Sequence, residues 1–104
     1  MAVAVAIKIL IVDDSVVSRR FLTDLLGEQT GFEVVGTTVN GKLALIKMPI
    51  LKPDLVVLDV EMPVMDGIET LREIKRTTPH IRVIMFSAHT QAGAAVTVEA
   101  LTLG

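Results

Sequence analysis

The chain has 104 residues and a formal net charge of −2, with 51% hydrophobic and 21% charged residues. That is one domain with enough apolar material for a core and too much for a disordered segment. Aromatics at 3%, with no Trp or Tyr and no Lys/Arg run, provide neither a stacking platform nor a basic face for nucleic acid. The absence of cysteine excludes disulfides, thiolate metal sites and thiol catalysis, and is compatible with the cytosol.

Met1–Ala6 is apolar but has no basic segment before it. It runs directly into Ile7 and falls far short of the ~20 residues of a membrane span. It reads as a lead-in to a first strand over Ile7–Val12, an aliphatic run that ends in Asp13-Asp14-Ser15. Such runs, without polar alternation, suit strands buried on both faces of a parallel sheet. A helix is expected from Ser15, with Val17, Phe21 and Leu25 as an inward stripe that Leu22 and Leu26 widen, stopped by Gly27 or Gly31. A second strand follows at Phe32–Thr37. Asn40 then caps a short helix through Met48, with Leu43, Ile46 and Leu45 facing inward and Pro49 ending or kinking it.

Pro53-Asp54 opens a third strand, Leu55–Leu58, which delivers Asp59. Asp66-Gly67 starts a third helix with Ile68, Leu71 and Ile74 inward, ending before Pro79. A fourth strand covers Arg82–Phe86 and ends in Ser87, and a last helix is expected over 93–103.

This β-α repeat describes an α/β fold, a doubly wound parallel sheet of flavodoxin-like type. Right-handed crossovers place helices on both faces. Ligands bind in such sheets beyond the carboxyl ends of the strands. With strand order 2-1-3-4, Asp13, Asp14 and Asp59 meet at the switch point between strands 1 and 3. The order is inferred from the acids, since periodicity alone does not provide it.

Two unit charges ~4 Å apart repel by about 4 kcal/mol at an effective dielectric of ~20. Protonation or a cation must offset that. An oxygen-seeking ion that keeps its waters, Mg²⁺ or Mn²⁺, suits the donors. It leaves Asp59 free as a nucleophile toward a phosphoryl group. Pro63 stiffens the following loop, and Gly67 permits a tight entry into the helix. The Ser87 hydroxyl could hydrogen-bond a phosphoryl oxygen beside Asp59. Asp66 reads best as a helix N-cap, Met62 and Met65 as packing residues, and His80 as a loop residue. His89 lies near the rim of the site, where controlling water access to a phosphoryl group and being a plain loop histidine are both open readings.

Val12-Asp13-Asp14-Ser15, Leu58-Asp59-Val60-Glu61-Met62-Pro63-Val64-Met65-Asp66-Gly67 and Met85-Phe86-Ser87-Ala88 occur in order at strand ends. Together they resemble the receiver domain of two-component response regulators, over nearly the whole chain. The resemblance implies a cytoplasmic phosphoacceptor switch in which Asp59 takes a phosphoryl group from a sensor histidine kinase. It also implies that Asp14 binds Mg²⁺ directly, Asp13 largely through water and Glu61 through its backbone carbonyl, with Ser87 as the switch hydroxyl. An output domain or partner protein would read the signal.

Asp-Val-Glu-Met-Pro, Asp-Asp-Ser and Thr97–Gly104 are similar to the regulatory domain of chemotaxis protein-glutamate methylesterases. Receivers continue into a fifth strand bearing a lysine and into a fifth helix. Residues 1–104 are therefore expected to be a receiver truncated at its C-terminal end, with an open edge on strand 4 through which copies self-associate. A non-switching interaction module remains an alternative. An aspartyl-phosphate phosphatase is another, with Glu61 as its general acid.

Overall fold

The computed structural model describes residues 6–87 and the backbone of residues 97–99. In chain order the elements are β1 (Ile7–Val12), α1 (Val16–Gly27), β2 (Phe32–Thr38), α2 (Gly41–Leu51), β3 (Leu55–Asp59), α3 (Gly67–Thr77), β4 (Arg82–Ser87) and β5 (Thr97–Glu99). The sheet order is β2-β1-β3-β4-β5. The first four strands are mutually parallel, so the expected 2-1-3-4 order holds, and β5 is antiparallel to β4.

Side chains of a strand alternate between faces, and β1 divides its four buried residues accordingly. Leu10 and Val12 join Ala44, Met48, Val56, Leu58, Leu71 and Ile74 under α2 and α3. Ile9 and Ile11 join Val57, Phe86 and Leu22 under α1. All four β1 residues are fully buried, and burial of such a side chain is worth ~1.5–3 kcal/mol. The aliphatic run in the sequence thus reflects cover on both faces.

The helices begin where the sequence signals them. Ser15, Asn40 and Asp66 each cap a helix, accepting from the backbone N–H of Ser18, Leu43 and Glu69 at 3.3, 2.8 and 2.9 Å. Their inward faces differ from those expected. On α1 the buried residue is Leu22, with Leu26 packed beside it. Val17, Phe21 and Leu25 are 81%, 56% and 44% exposed. On α2, Ala44 and Met48 are buried and Leu45 half-buried, whereas Leu43 and Ile46 are exposed. On α3, Leu71 and Ile74 are buried together with Thr70, and Ile68 is exposed. The cause is the same in each helix. An apolar stripe wider than the contact it makes leaves periodicity unable to say which of its edges is covered.

Pro49 does not stop α2, which continues to Leu51 and ends at Lys52, in the left-handed region at φ 50. Pro49 sits exposed in the last turn, where its missing N–H costs a single helical bond and the Lys52 N–H still reaches the Met48 carbonyl at 2.8 Å.

The helix expected over 93–103 is not found at residues 97–99, which pair as a strand with Met85–Ser87. The rest of that span lies outside the described residues. Thr97 and Val98 are β-branched, and the outer edge of β4 presents backbone groups that require partners. The edge of β4 is therefore not open along this half, contrary to the expected site of self-association.

Candidate functional site: an acid cluster at the strand ends

Asp13 directly follows β1, and Asp59 is the last residue of β3. The β1–β3 register pairs Val12 with Leu58, which brings the two acids side by side. By alternation each continues the row of residues facing α1, Ile9 and Ile11 for Asp13 and Val57 for Asp59. Asp14 joins them from the β1–α1 connection. One carboxylate oxygen from each of Asp13, Asp14 and Asp59 lies within 4.8 Å of the others. Asp13 is 0% exposed and Asp59 3%, whereas Asp14 is exposed.

Backbone donors hold the two buried acids. Asp13 Oδ1 accepts from the Ser15 N–H at 2.9 Å, and its own N–H donates to the Thr38 carbonyl at 3.0 Å. Asp59 Oδ1 accepts from the Glu61 N–H at 3.2 Å. Asp13 Oδ2 is buried with no partner. A buried, unpartnered carboxylate oxygen is costly and calls for an explanation.

The electrostatics agree with the geometry. Burial, foremost, pushes the Asp59 carboxyl up to about 7. The Glu61 N–H pulls it down, while the charges of Asp13 and Asp14 push it up again. At neutral pH the cluster therefore keeps a fraction of its protons on Asp59. A cation among the three acids would replace that proton and give Asp13 Oδ2 a partner. Three hard oxygen donors, one of them solvent-exposed, match an ion that retains water.

The β3–α3 loop forms the far wall of an open groove lined by Asp14, Glu61, Met62, Pro63 and Ile68. Asp66 caps α3, as expected from its residue type at the helix start. Gly67 is required by close approach, because a Cβ there would run into the Asp59 carbonyl oxygen and the Val60 Cα. Its N–H donates to the Val60 carbonyl at 2.9 Å, so α3 starts directly against the end of β3. Val64 has φ 72, and the Met65 N–H reaches the Pro63 carbonyl at 2.8 Å. This is a γ-type turn, strained for a β-branched residue.

Of the other candidates, Glu61 is exposed, and its N–H engages Asp59. Ser87 ends β4 half-buried, one residue beyond Phe86, the register partner of Asp59. His89 lies outside the described residues. Sequence reasoning missed Arg19, whose Nη1 donates to the Asp13 carbonyl at 2.8 Å. The available signal was a cation one turn into a helix that has no acid in its first turn, a position the helix dipole disfavours.

The chain spans 28% of the length of a protein-glutamate methylesterase/protein-glutamine glutaminase of Trichodesmium erythraeum, with 55% identity over 93% of its own residues. It spans 27% of the same kind of protein from Nocardioides, with 52% identity over 94% of its own residues. Among solved structures it is similar to the response regulator domain of Thermotoga maritima CheB. That match has a TM-score of 0.75 and 43% identity, and covers 86% of this chain and 66% of that one. It is also similar to a chain in the CheX–CheY–BeF3–Mg²⁺ complex of Borrelia burgdorferi, with a TM-score of 0.75 and 38% identity over 85% of this chain and 66% of that one. Residues 9–104 match the response regulator receiver domain, and with the strand order and the acid cluster in agreement the chain belongs to that family.

Proposed function

We propose that this receiver domain is a phosphoacceptor switch of a two-component system. In this reading Asp59 is the acceptor, Asp13, Asp14 and the Glu61 backbone carbonyl hold Mg²⁺, and Ser87 contacts the phosphoryl group. The observation that carries the reading is the buried Asp59 at the end of β3, clustered with Asp14 and with an Asp13 that has an unpartnered oxygen. The phosphodonor is a sensor histidine kinase, and the setting is cytoplasmic. Among the described residues no helix is long and apolar enough to cross a membrane. The identity with methylesterases supports placing the domain as the regulatory part of a chemotaxis protein-glutamate methylesterase, whose catalysis would reside outside these residues.

In the transfer, a carboxylate oxygen of Asp59 forms the bond to phosphorus as the phosphorus–nitrogen bond of a phosphohistidine breaks, and the imidazole leaves with the electron pair. Asp59 must be unprotonated to act, and the Glu61 N–H stabilises that form. Mg²⁺, when bound, supplies charge neutralisation for the acids and the phosphoryl oxygens. Gly67 and the α3 cap hold the acceptor's strand end in place.

Acetyl phosphate with Mg²⁺ should modify Asp59 once per chain, detected by peptide mass spectrometry after borohydride trapping. Asp59→Asn should remove the label. Label on a serine or histidine instead would overturn the assignment.

A further inference from the structure

Asp13 is held at three atoms. Its N–H is bound to β2 through Thr38, and its Oδ1 to the helix cap through the Ser15 N–H. Its carbonyl oxygen accepts from Arg19 Nη1 at 2.8 Å. The first two bonds place the residue. The third fixes the plane of the peptide that leads into Asp14, whose exposed side chain is the least constrained of the three acids.

Arg19 reaches this carbonyl from within α1. Its own N–H donates to the Ser15 carbonyl at 2.9 Å, and its carbonyl accepts from Thr23 Oγ1 at 2.7 Å. The half-buried guanidinium thus ties the first turn of the helix back to the end of β1 across the connection that carries both acids. Since α1 has no acid in its first turn to attract it, the Asp13 carbonyl is the acceptor that accounts for its placement.

We propose that Arg19 is a positioning residue, holding the Asp13–Asp14 peptide so that both carboxylates converge with Asp59 on a divalent cation. This rests on reading the acid cluster as a cation site. Partners that hydrogen-bond the residues holding a metal set its affinity, and losing one typically costs 10- to 100-fold. The sign of the effect identifies the role. A positive charge near the site repels Mg²⁺, so removing Arg19 should strengthen binding if charge were all it contributed, and weaken binding if it positions the acids. Arg20, next along α1 and exposed, is the control for charge.

Titration calorimetry with Mg²⁺ on the chain and its variants tests this. Arg19→Met should bind about tenfold more weakly. Arg19→Lys, which keeps one donor group, should fall between Arg19→Met and the parent. Arg20→Met should bind as the parent does or slightly more tightly. Equal or tighter binding by a folded Arg19→Met overturns the role of Arg19 and leaves the site reading intact. If Arg19→Met melts too low to titrate, Arg19→Lys decides: weaker binding than the parent supports the role, and equal binding overturns it. A parent chain that takes up no Mg²⁺ overturns the site reading and this proposal together.

Discussion

The two faces of the sheet are covered differently. On one, α2 and α3 press a continuous aliphatic layer from Leu10 and Val12 through Leu58, Leu71 and Ile74. On the other, α1 contributes Leu22 and Leu26 over Ile9, Ile11, Val57 and Phe86, and turns Val17, Phe21 and Leu25 outward. The acids continue the rows of the second face. Asp13 and Asp59 are thus buried at the strand ends without a second helix above them among the described residues. The larger apolar layer lies on the α2–α3 side, and the acid cluster lies at the mouth of the α1 side. This division fits the general pattern of rigid elements that carry a functional edge.

The largest expected effect tests that contrast directly. Ile74→Ala, at a fully buried position of the α2–α3 layer, should cost about 2–5 kcal/mol in urea unfolding. Phe21→Ala, at a position 56% exposed, should stay within about 0.5 kcal/mol. A Phe21→Ala loss comparable to that of Ile74→Ala would mean that the α1 stripe is covered in solution, by another copy or by other protein.

Next in size is the effect of the cation at the mouth of the thinner face. Mg²⁺ at a hundredfold excess over its Kd should stabilise the fold by about 2.7 kcal/mol, read as a rise in melting temperature. Asp14→Asn should remove most of that gain, since it takes away the negative charge of the solvent-facing ligand. An unmoved melting temperature in the parent at millimolar Mg²⁺ would argue against the site.

Proton linkage at Asp59 gives a change that is smaller for each pH unit. Its folded pKa, about 7, lies above its unfolded value of 3.8, so the folded state binds the extra proton in between. Metal-free stability should therefore fall as pH rises from about 4 toward about 7 and then level off, with a slope from this residue of at most about 1.4 kcal/mol per pH unit. Asp59→Asn should remove this component, and saturating Mg²⁺ should suppress it by replacing the proton. Metal-free stability that rises through the same window, in a manner dependent on Asp59, would contradict the burial argument.

The smallest effect concerns the strained turn beside the groove. Val64→Gly should stabilise the domain by about 1 kcal/mol, because a β-branched residue at φ 72 carries strain that glycine does not. A loss of stability on that substitution would show that the 77% exposed valine side chain has a cover that outweighs its backbone cost.

Much of the candidate site is legible in the order of residues. Three signals suffice: two aliphatic runs ending in acids, Asp66-Gly67 as a helix start, and Ser87 at the end of a fourth run. Each is local. Arg19 is not legible in this way, because its role depends on an arginine in α1 reaching back to a carbonyl at the end of β1. The antiparallel strand at 97–99 escapes for a related reason. Thr97-Val98-Glu99 is short enough to suit either helix or strand, and the unpaired edge of β4 decides between them.

Local sequence was enough to dictate the alternation of strands and helices as far as β4, the capping residues, and the three carboxylates at strand ends. Burial on both faces and helix capping leave patterns within a few neighbouring residues. Folding in three dimensions settled which side of each apolar stripe is covered, how far α2 runs past Pro49, and that Asp13 Oδ2 is left without a partner. These depend on how much surface a neighbouring element offers and on which donors reach the strand ends, and no run of adjacent residues records that.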